Sequence, residues 1–590
     1  MAVFIRLLGF LRDYKSGVWW SAVLAALAMV ATVAIPALTG LAIGAIEDGD
    51  RERLKFLALA IAIVGVLRLG LTVARRLIAG RVSLGVELDL RERLYEHLLA
   101  LDLAFFDTQQ TGQLMSRATV DLSSVRFFLG YGLVLISQAA LTLAFAAIAM
   151  IVVDPLLALV ALSPIPLVVW VAQRYSRRAR PALQEVQQRI GELTADVEET
   201  VGGVRVVKAF AAEERREQRF RHSVGRVFDQ SMIATRLRAF YNPFIAFLPQ
   251  FGLALLLLIG GRAVVSGRLT LAEFTIFYGY LLMLLGPIRT LGWTLGLAQR
   301  ASASGNRIFE LLDREPQITA APDAVALPPG NGRVELRGVT LAYEEHESAP
   351  ALRDVSLTVE PGTTLALVGG TGSGKTTLVQ LLARMYDPTQ GAVLVDGADV
   401  RTVDPAELRR QIAVVNDDPF LFSATVHENI AYGRGDATRE EVVEAARRAQ
   451  AHEFISELPD GYETIVGERG LTLSGGQRQR IAIASAILAA PRILILDAAT
   501  SSIDATTERQ IKQGLGEALA GRTTFVIAHR LSTIALADEI AVLDAGRLID
   551  RGTHDALVKR SPFYREIVQK GMPDQVFLTR KPLEPEVAGL

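Results

Sequence analysis

Six apolar runs, near residues 18–46, 55–74, 127–153, 155–176, 241–264 and 272–297, restrict the first half of this chain to membrane-crossing helices. A hydrocarbon core about 30 Å thick takes roughly 20 apolar residues as helix, and lipid leaves no other open-chain way to satisfy the backbone. Short links join some runs, as at Asp154 and Pro155, whereas two long polar excursions, 75–126 and 177–240, carry most of the positive charge. Arg75, Arg76, Arg81, Arg91, Arg93 and Arg117 mark the first; Arg177, Arg178, Arg180, Arg205, Lys208, Arg215, Arg216, Arg236 and Arg238 mark the second. Positive loops stay on the cytosolic side, so both excursions and both termini are expected in the cytosol. The excursions are helix-rich, which predicts spans that continue as helices beyond the bilayer. The first fifteen residues mix apolar and basic side chains with no small-residue cleavage site, and read as an interfacial helix, not a signal peptide.

Arg68 interrupts the second span, and Arg289 follows Pro287 in the last. An ionisable group at that depth either serves a substrate path or snorkels toward water, and both readings stay open. Pro36, Pro243, Pro249 and Pro287 either kink spans around a cavity or are ordinary membrane-helix prolines.

After about residue 330 the apolar residues come in strand-length and helix-length pieces separated by Gly, Asp and Arg. This is the pattern of a soluble α/β domain. With 62 basic and 63 acidic residues the net charge is -1, so nothing in the balance calls for nucleic acid as a partner. The absence of Cys excludes disulfides and thiolate metal sites. The divisions expected are a membrane domain over 1–312, a linker over 313–332, a soluble domain over 333–572 and a tail over 573–590.

Residues 364–369, T-L-A-L-V-G, read as a buried strand, and the glycine-rich stretch that follows ends in Gly374-Lys375-Thr376 with Thr377 beyond it. Gly369, Gly372 and Gly374 let backbone N–H groups close on phosphate, Lys375 reaches the outer phosphates, and Thr376 offers a hydroxyl to magnesium. The run 493–504, I-L-I-L-D-A-A-T-S-S-I-D, delivers Asp497 at the end of a second buried strand, where a carboxylate holds a metal ion. The following position, where a glutamate would serve as base, is Ala498. Residues 473–477, L-S-G-G-Q, form a second anion-binding turn before a helix, with no lysine of its own. One ATP does not need two such turns, so Ser474, Gly475, Gly476 and Gln477 are expected to close over a nucleotide held by another copy or a partner.

Together with Ser501 to Asp504 and His529, these motifs resemble the nucleotide-binding domain of ABC transporters, and six spans followed by one such domain resemble a half-transporter of the type IV exporter class. The resemblance implies a membrane all-α domain followed by an α/β ABC-type domain, with ATP and Mg²⁺ as cofactors and a second half-transporter as partner. It implies that Tyr343 stacks on adenine, that Asp504 belongs to the loop crossing to the opposing site, and that His529 lies near the γ-phosphate. Thr376, Asp417 and Asp497 become the metal side, and residues 467–470 the loop that senses the membrane domain. Residues 105–117 and 207–210 resemble the cytoplasmic regions that contact nucleotide-binding domains. Two departures stand out: Ala498 replaces the family's glutamate, and Asp417 stands where the family has glutamine. The pair suggests a hydrolysis-impaired site in a heterodimer, with turnover left to the partner's site. An engineered glutamate-to-alanine trap in a homodimeric lipid or drug exporter explains Ala498 but requires no change at Asp417. A further alternative is an ATP-gated pore or regulator. Membrane lipid surrounds the chain, and its substrate, whether a small molecule, lipid or peptide, has no dedicated motif.

Overall fold

The computed structural model describes residues 2–343, 349–467, 470, 472–498, 513–528 and 530–571. It separates into two compact units, one of Met1–Leu99 and Thr111–Arg314, the other of Ala100–Gln110 and Glu315–Leu590.

The first unit is helical: α1 (Lys15–Glu47), α2 (Arg51–Ala100), α3 (Leu133–Val153), α4 (Pro164–Gly202), α5 (Glu213–Val265) and α6 (Leu271–Leu312). Five helical stretches are long and apolar enough to cross a membrane, and α6 adds a shorter apolar stretch, Leu271–Leu284, among the described residues. The 50 residues of α2 extend about 75 Å at helical rise, well beyond the hydrocarbon core, as the polar excursions predict. The turn between α3 and the next helix is built from Asp154, whose carboxylate accepts the Leu157 N–H at 2.9 Å, with Pro155 in the first helical turn. Thr270 and Glu273 form a reciprocal capping box that starts α6. Pro36, Pro243, Pro249 and Pro287 all lie inside continuous helix. At Pro36 the neighbouring α6 presents Gly279, where a Cβ would lie 2.8 Å from the proline Cβ, so the two helices approach closely through a small residue. Tyr280 donates to the Val33 carbonyl at 3.1 Å in the turn before that proline. Arg68 sits on an exposed helix face, whereas Arg75, two turns later, is buried. The side chain of Arg289 lies outside the described residues. At the N-terminus, the helix Ala2–Gly9 anchors Leu7 in the core, and Arg6 donates to Asp313 at 2.6 Å.

The second unit holds two sheets. Strands β1 (Val334–Leu341), β2 (Leu352–Val359), β4 (Gln390–Val395) and β5 (Ala398–Asp399) pair antiparallel in the order β2-β1-β4-β5. Strands β3 (Thr364–Gly369), β6 (Ile412–Val415), β7 (Ile493–Ala498), β8 (Thr523–Ala528), β9 (Glu539–Asp544) and β10 (Arg547–Gly552) form the second sheet, in the order β10-β9-β3-β8-β7-β6. Every pairing in that second sheet is parallel except β10 with β9. The interior of β3, residues 365–368, has no exposed surface, which is why it reads as an unbroken apolar run with no alternation. The short helix Leu103–Thr108 belongs to this unit, with Leu103 and Ala104 packed against the core that contains β1, β2 and β3.

A buried carboxylate joins the layers. Asp396 accepts the N–H groups of Gly332 and Arg333, each at 2.9 Å, and Arg492 Nη1 at 3.0 Å. Removing it strands a half-buried guanidinium and two backbone donors, so Asp396→Ala is expected to cost about 3 kcal/mol, read as a fall in the thermal unfolding midpoint of this domain.

Candidate nucleotide-binding site

Four adjacent parallel strands, β3, β8, β7 and β6, end on the same edge of the second sheet, because parallel pairing aligns their carboxyl ends. That edge collects Gly369, Ala528, the Asp497-Ala498 pair and the segment after Val415. The arrangement matches the rule that open α/β sheets bind ligands beyond the carboxyl ends of their strands.

At the end of β3 the chain turns into α7 (Lys375–Leu382) through Gly374, which has φ +99°. A Cβ there would lie 2.7 Å from Leu352 Cδ2 and 2.8 Å from the Ala351 carbonyl, so only glycine fits. Lys375 is 6% exposed, and its ammonium donates to the carbonyls of Gly369 at 3.0 Å and Gly370 at 2.9 Å. Burial lowers the Lys375 pKa from its ordinary value, and the carboxylate of Asp497 opposes that shift. A buried cation held by carbonyl dipoles beside a helix N-terminus is suited to an anion.

Thr376 is exposed in the first turn of α7, while Thr377 is buried and bonded to the Tyr343 hydroxyl at 2.9 Å. Tyr343 is half-buried, and its ring meets Tyr386 edge-on at 5.1 Å between centroids. Asp497 is half-buried and Asp417 exposed. The backbone of Ala498 continues β7 and pairs with Ala528. Asp504 and His529 lie outside the described residues, as do Glu468 and Arg469 of the 467–470 loop.

The second glycine turn starts α8 (Gly475–Ala489). Ser474 is its N-cap, accepting the Gln477 N–H at 3.3 Å, while Gln477 Oε1 accepts the Ser474 N–H at 2.8 Å. This reciprocal box gives Ser474 and Gln477 a structural role in addition to any ligand role. Ser474 and Gly475 are exposed, and a Cβ on Gly475 would meet nothing within 4 Å, whereas Gly476 is buried. Helix α8 packs through Ile481, Ile483 and Ile487 into a different core cluster from that of α7. Among the described residues, no hydrogen bond joins Ser474, Gly475, Gly476 or Gln477 to the Lys375 loop. Arg478, one residue on, bridges to Asp418 at 3.0 Å and to the Leu473 carbonyl at 3.1 Å, tying this turn to the segment after β6.

Residues 18–288 match the family model of the ABC transporter transmembrane region, and residues 352–501 the family model described as ABC transporter. An ATP-dependent lipid A-core flippase of Syntrophus aciditrophicus is 37% identical over 522 residues, which is 88% of this chain and 86% of that protein. The chain belongs to the ABC transporter family. Its fold is similar to a bacterial Atm1-family ABC exporter solved with ATP bound, with TM-score 0.79 and 29% identity over 97% of this chain and 99% of that one. A multidrug efflux ATP-binding/permease protein of Mycobacterium bovis is 39% identical over 565 residues, 95% of this chain but 47% of its own length. This ABC transporter is thus a multi-pass membrane exporter with a helical membrane domain and a cytoplasmic ATP-binding domain.

One contact beside Tyr343 was not identifiable from sequence motifs. Tyr386, which supports Tyr343, donates its hydroxyl to Asp107 on the short helix Leu103–Thr108. Burial, then the Asp107 contact, raises the Tyr386 pKa well above its ordinary value and keeps it a donor. The 105–117 stretch carries a family resemblance, but pairing its aspartate with a tyrosine 279 positions away required the fold.

Proposed function

We propose that this chain is one half of a heterodimeric ATP-driven exporter, holding one slow ATP at its own site and completing the partner's competent site with Ser474 to Gln477. The observation that carries this reading is the contrast between the two turns. The phosphate loop around Lys375 has the buried cation and close backbone of a binding site, yet the strand beside it ends in Asp497-Ala498 with no base. The signature turn is complete, capped and solvent-facing. Asp417, an exposed carboxylate after β6, adds negative charge on the same sheet edge and cannot donate a hydrogen bond when ionised.

In this reading Gly369, Gly372, Gly374 and Lys375 cradle the phosphates and Tyr343 carries the base. The donors available to magnesium, Thr376, Asp497 and Asp417, are hard oxygens of the type it prefers. Bound magnesium would neutralise phosphate charge. The described residues contain no cluster of three His, Cys, Asp or Glu side chains suited to a metal, which agrees with a cation that takes part of its shell from the nucleotide. Closure of the two ATP domains then drives alternating access. The names of the relatives support a lipid or drug as cargo.

The test is co-purification through a tag on this chain, followed by transport into sealed vesicles. Two subunit species and accumulation against a gradient are expected. A single species, or purely downhill flux, would defeat the heterodimer and the pump respectively. Tyr343→Ala is expected to weaken ATP binding by about 1–3 kcal/mol, measured by titration with a fluorescent nucleotide.

A further inference from the structure

The membrane unit contains a cavity of about 270 Å³ between α2 and the start of α3, lined among others by Arg75, Arg76, Ser83, Arg126, Tyr131 and Gln138. Arg75 is 4% exposed. Its Nη1 reaches Gln138 Oε1 only at 3.4 Å, and its Nε finds no acceptor among the described residues. A guanidinium removed from water without a carboxylate is costly, and native proteins keep such groups where something pairs with them.

The charges around the cavity do not cancel. Glu87 is the acidic neighbour, and it is already taken by Arg126 Nε at 3.1 Å and by Arg91 at 2.9 Å. Among the described residues, no carboxylate forms an ion pair with Arg75 or Arg76. The wall opposite Arg75 includes a π-helical turn, Phe128–Gly132, a widened helical geometry frequent at functional sites. That turn supplies Tyr131 and also Gly130, where a Cβ would lie 2.5 Å from Ser83 Cβ, so the hydroxyl of Ser83 reaches the same wall.

Position decides the class of ligand. Arg75 and Arg76 directly follow the apolar run 55–74, and Phe127 opens the run 127–153, so the cavity lies at the cytosolic headgroup level of both spans. Beyond the arginines its lining turns apolar through Phe127, Val134 and Leu135. A ligand anionic at one end and apolar at the other satisfies both halves.

We propose that this cavity binds the phosphate of an anionic phospholipid from the cytosolic leaflet, with Arg75 as its principal contact and Arg76 as a flanking charge. The site is separate from the nucleotide chemistry and does not depend on whether the transporter is a heterodimer.

The test uses the full-length transporter in detergent with short-chain phosphatidylglycerol as probe, and phosphatidylcholine and inorganic phosphate as separate arms. Phosphatidylglycerol is expected to raise the thermal unfolding midpoint and to remain bound in native mass spectra. Arg75→Gln should weaken that binding at least tenfold, with Arg75→Lys intermediate. Without lipid, Arg75→Gln should melt no lower than the parent, because it removes an uncompensated buried charge, and this separates lost binding from misfolding. Arg76→Gln, at an exposed position, should weaken binding several-fold with no change in the lipid-free midpoint. Equal stabilisation by phosphatidylcholine, or undiminished binding by Arg75→Gln, would overturn the site. Inorganic phosphate acting as strongly as the lipid would overturn the assignment to phospholipid.

Discussion

Ser474→Asp is expected to abolish nearly all ATPase activity of the assembled transporter, a loss of about 10²-fold or more, while leaving the fold intact. Aspartate caps a helix as well as serine does and interacts favourably with the helix N-terminus, so the start of α8 should be kept or strengthened. The same carboxylate faces solvent at a turn proposed to close on the partner's nucleotide, where it would repel phosphate. Ser474→Thr, which preserves both the cap and the hydroxyl, should retain most activity. Lys375→Ala should lose little if, as proposed, the nucleotide at this chain's own site turns over slowly. The measurement is steady-state hydrolysis by the co-purified complex, with circular dichroism to check the fold. The difference between the two positions is the informative quantity. Equal losses from Lys375→Ala and Ser474→Asp would mean that both motifs serve equivalent sites, as in a homodimer.

The parts of this fold that were legible in the sequence are those governed by local pattern. Apolar run length located the spans, Asp154-Pro155 marked a turn, and a run of buried apolar residues ending in Gly369 or Asp497 marked β3 and β7. What pattern could not supply was lateral order. That β8 lies between β3 and β7, so that its end joins theirs, is a property of the sheet and not of any segment. The same applies to Tyr386 and Asp107, which look unremarkable until two distant pieces of chain are packed together. Arg68 and Arg75 show a further limit of pattern. Arg68 attracts attention by interrupting an apolar run, yet it lies on an exposed face, whereas Arg75, just past the run, is the buried cation. Hydropathy reports depth along a helix; it says nothing about which side another helix covers.

Ala498→Glu is the change with the largest expected gain. Restoring a base at the end of β7 should accelerate hydrolysis at this chain's own site by about 10²–10⁴-fold, or roughly 3–5 kcal/mol of barrier. In the proposed heterodimer the rate is read with the partner's site disabled, so that the background is low. Asp417 limits the gain. An ionised carboxylate on this sheet edge disfavours added negative charge beside a bound phosphate chain and cannot donate a hydrogen bond, so the single substitution should recover only part of the range. Ala498→Glu combined with Asp417→Gln should exceed the product of the two separate effects, since each removes an obstacle that hides the benefit of the other. Asp417→Gln alone should do almost nothing, because a correctly placed donor without a base still leaves the water unactivated. If Asp417→Gln alone raised turnover, Ala498 would not be what limits hydrolysis at this site. If Ala498→Glu alone gave the full rate, Asp417 would have no part in the impairment. The case for natural asymmetry over a single engineered change would then rest on subunit composition, because it is the joint departure at 417 and 498 that one laboratory substitution does not explain.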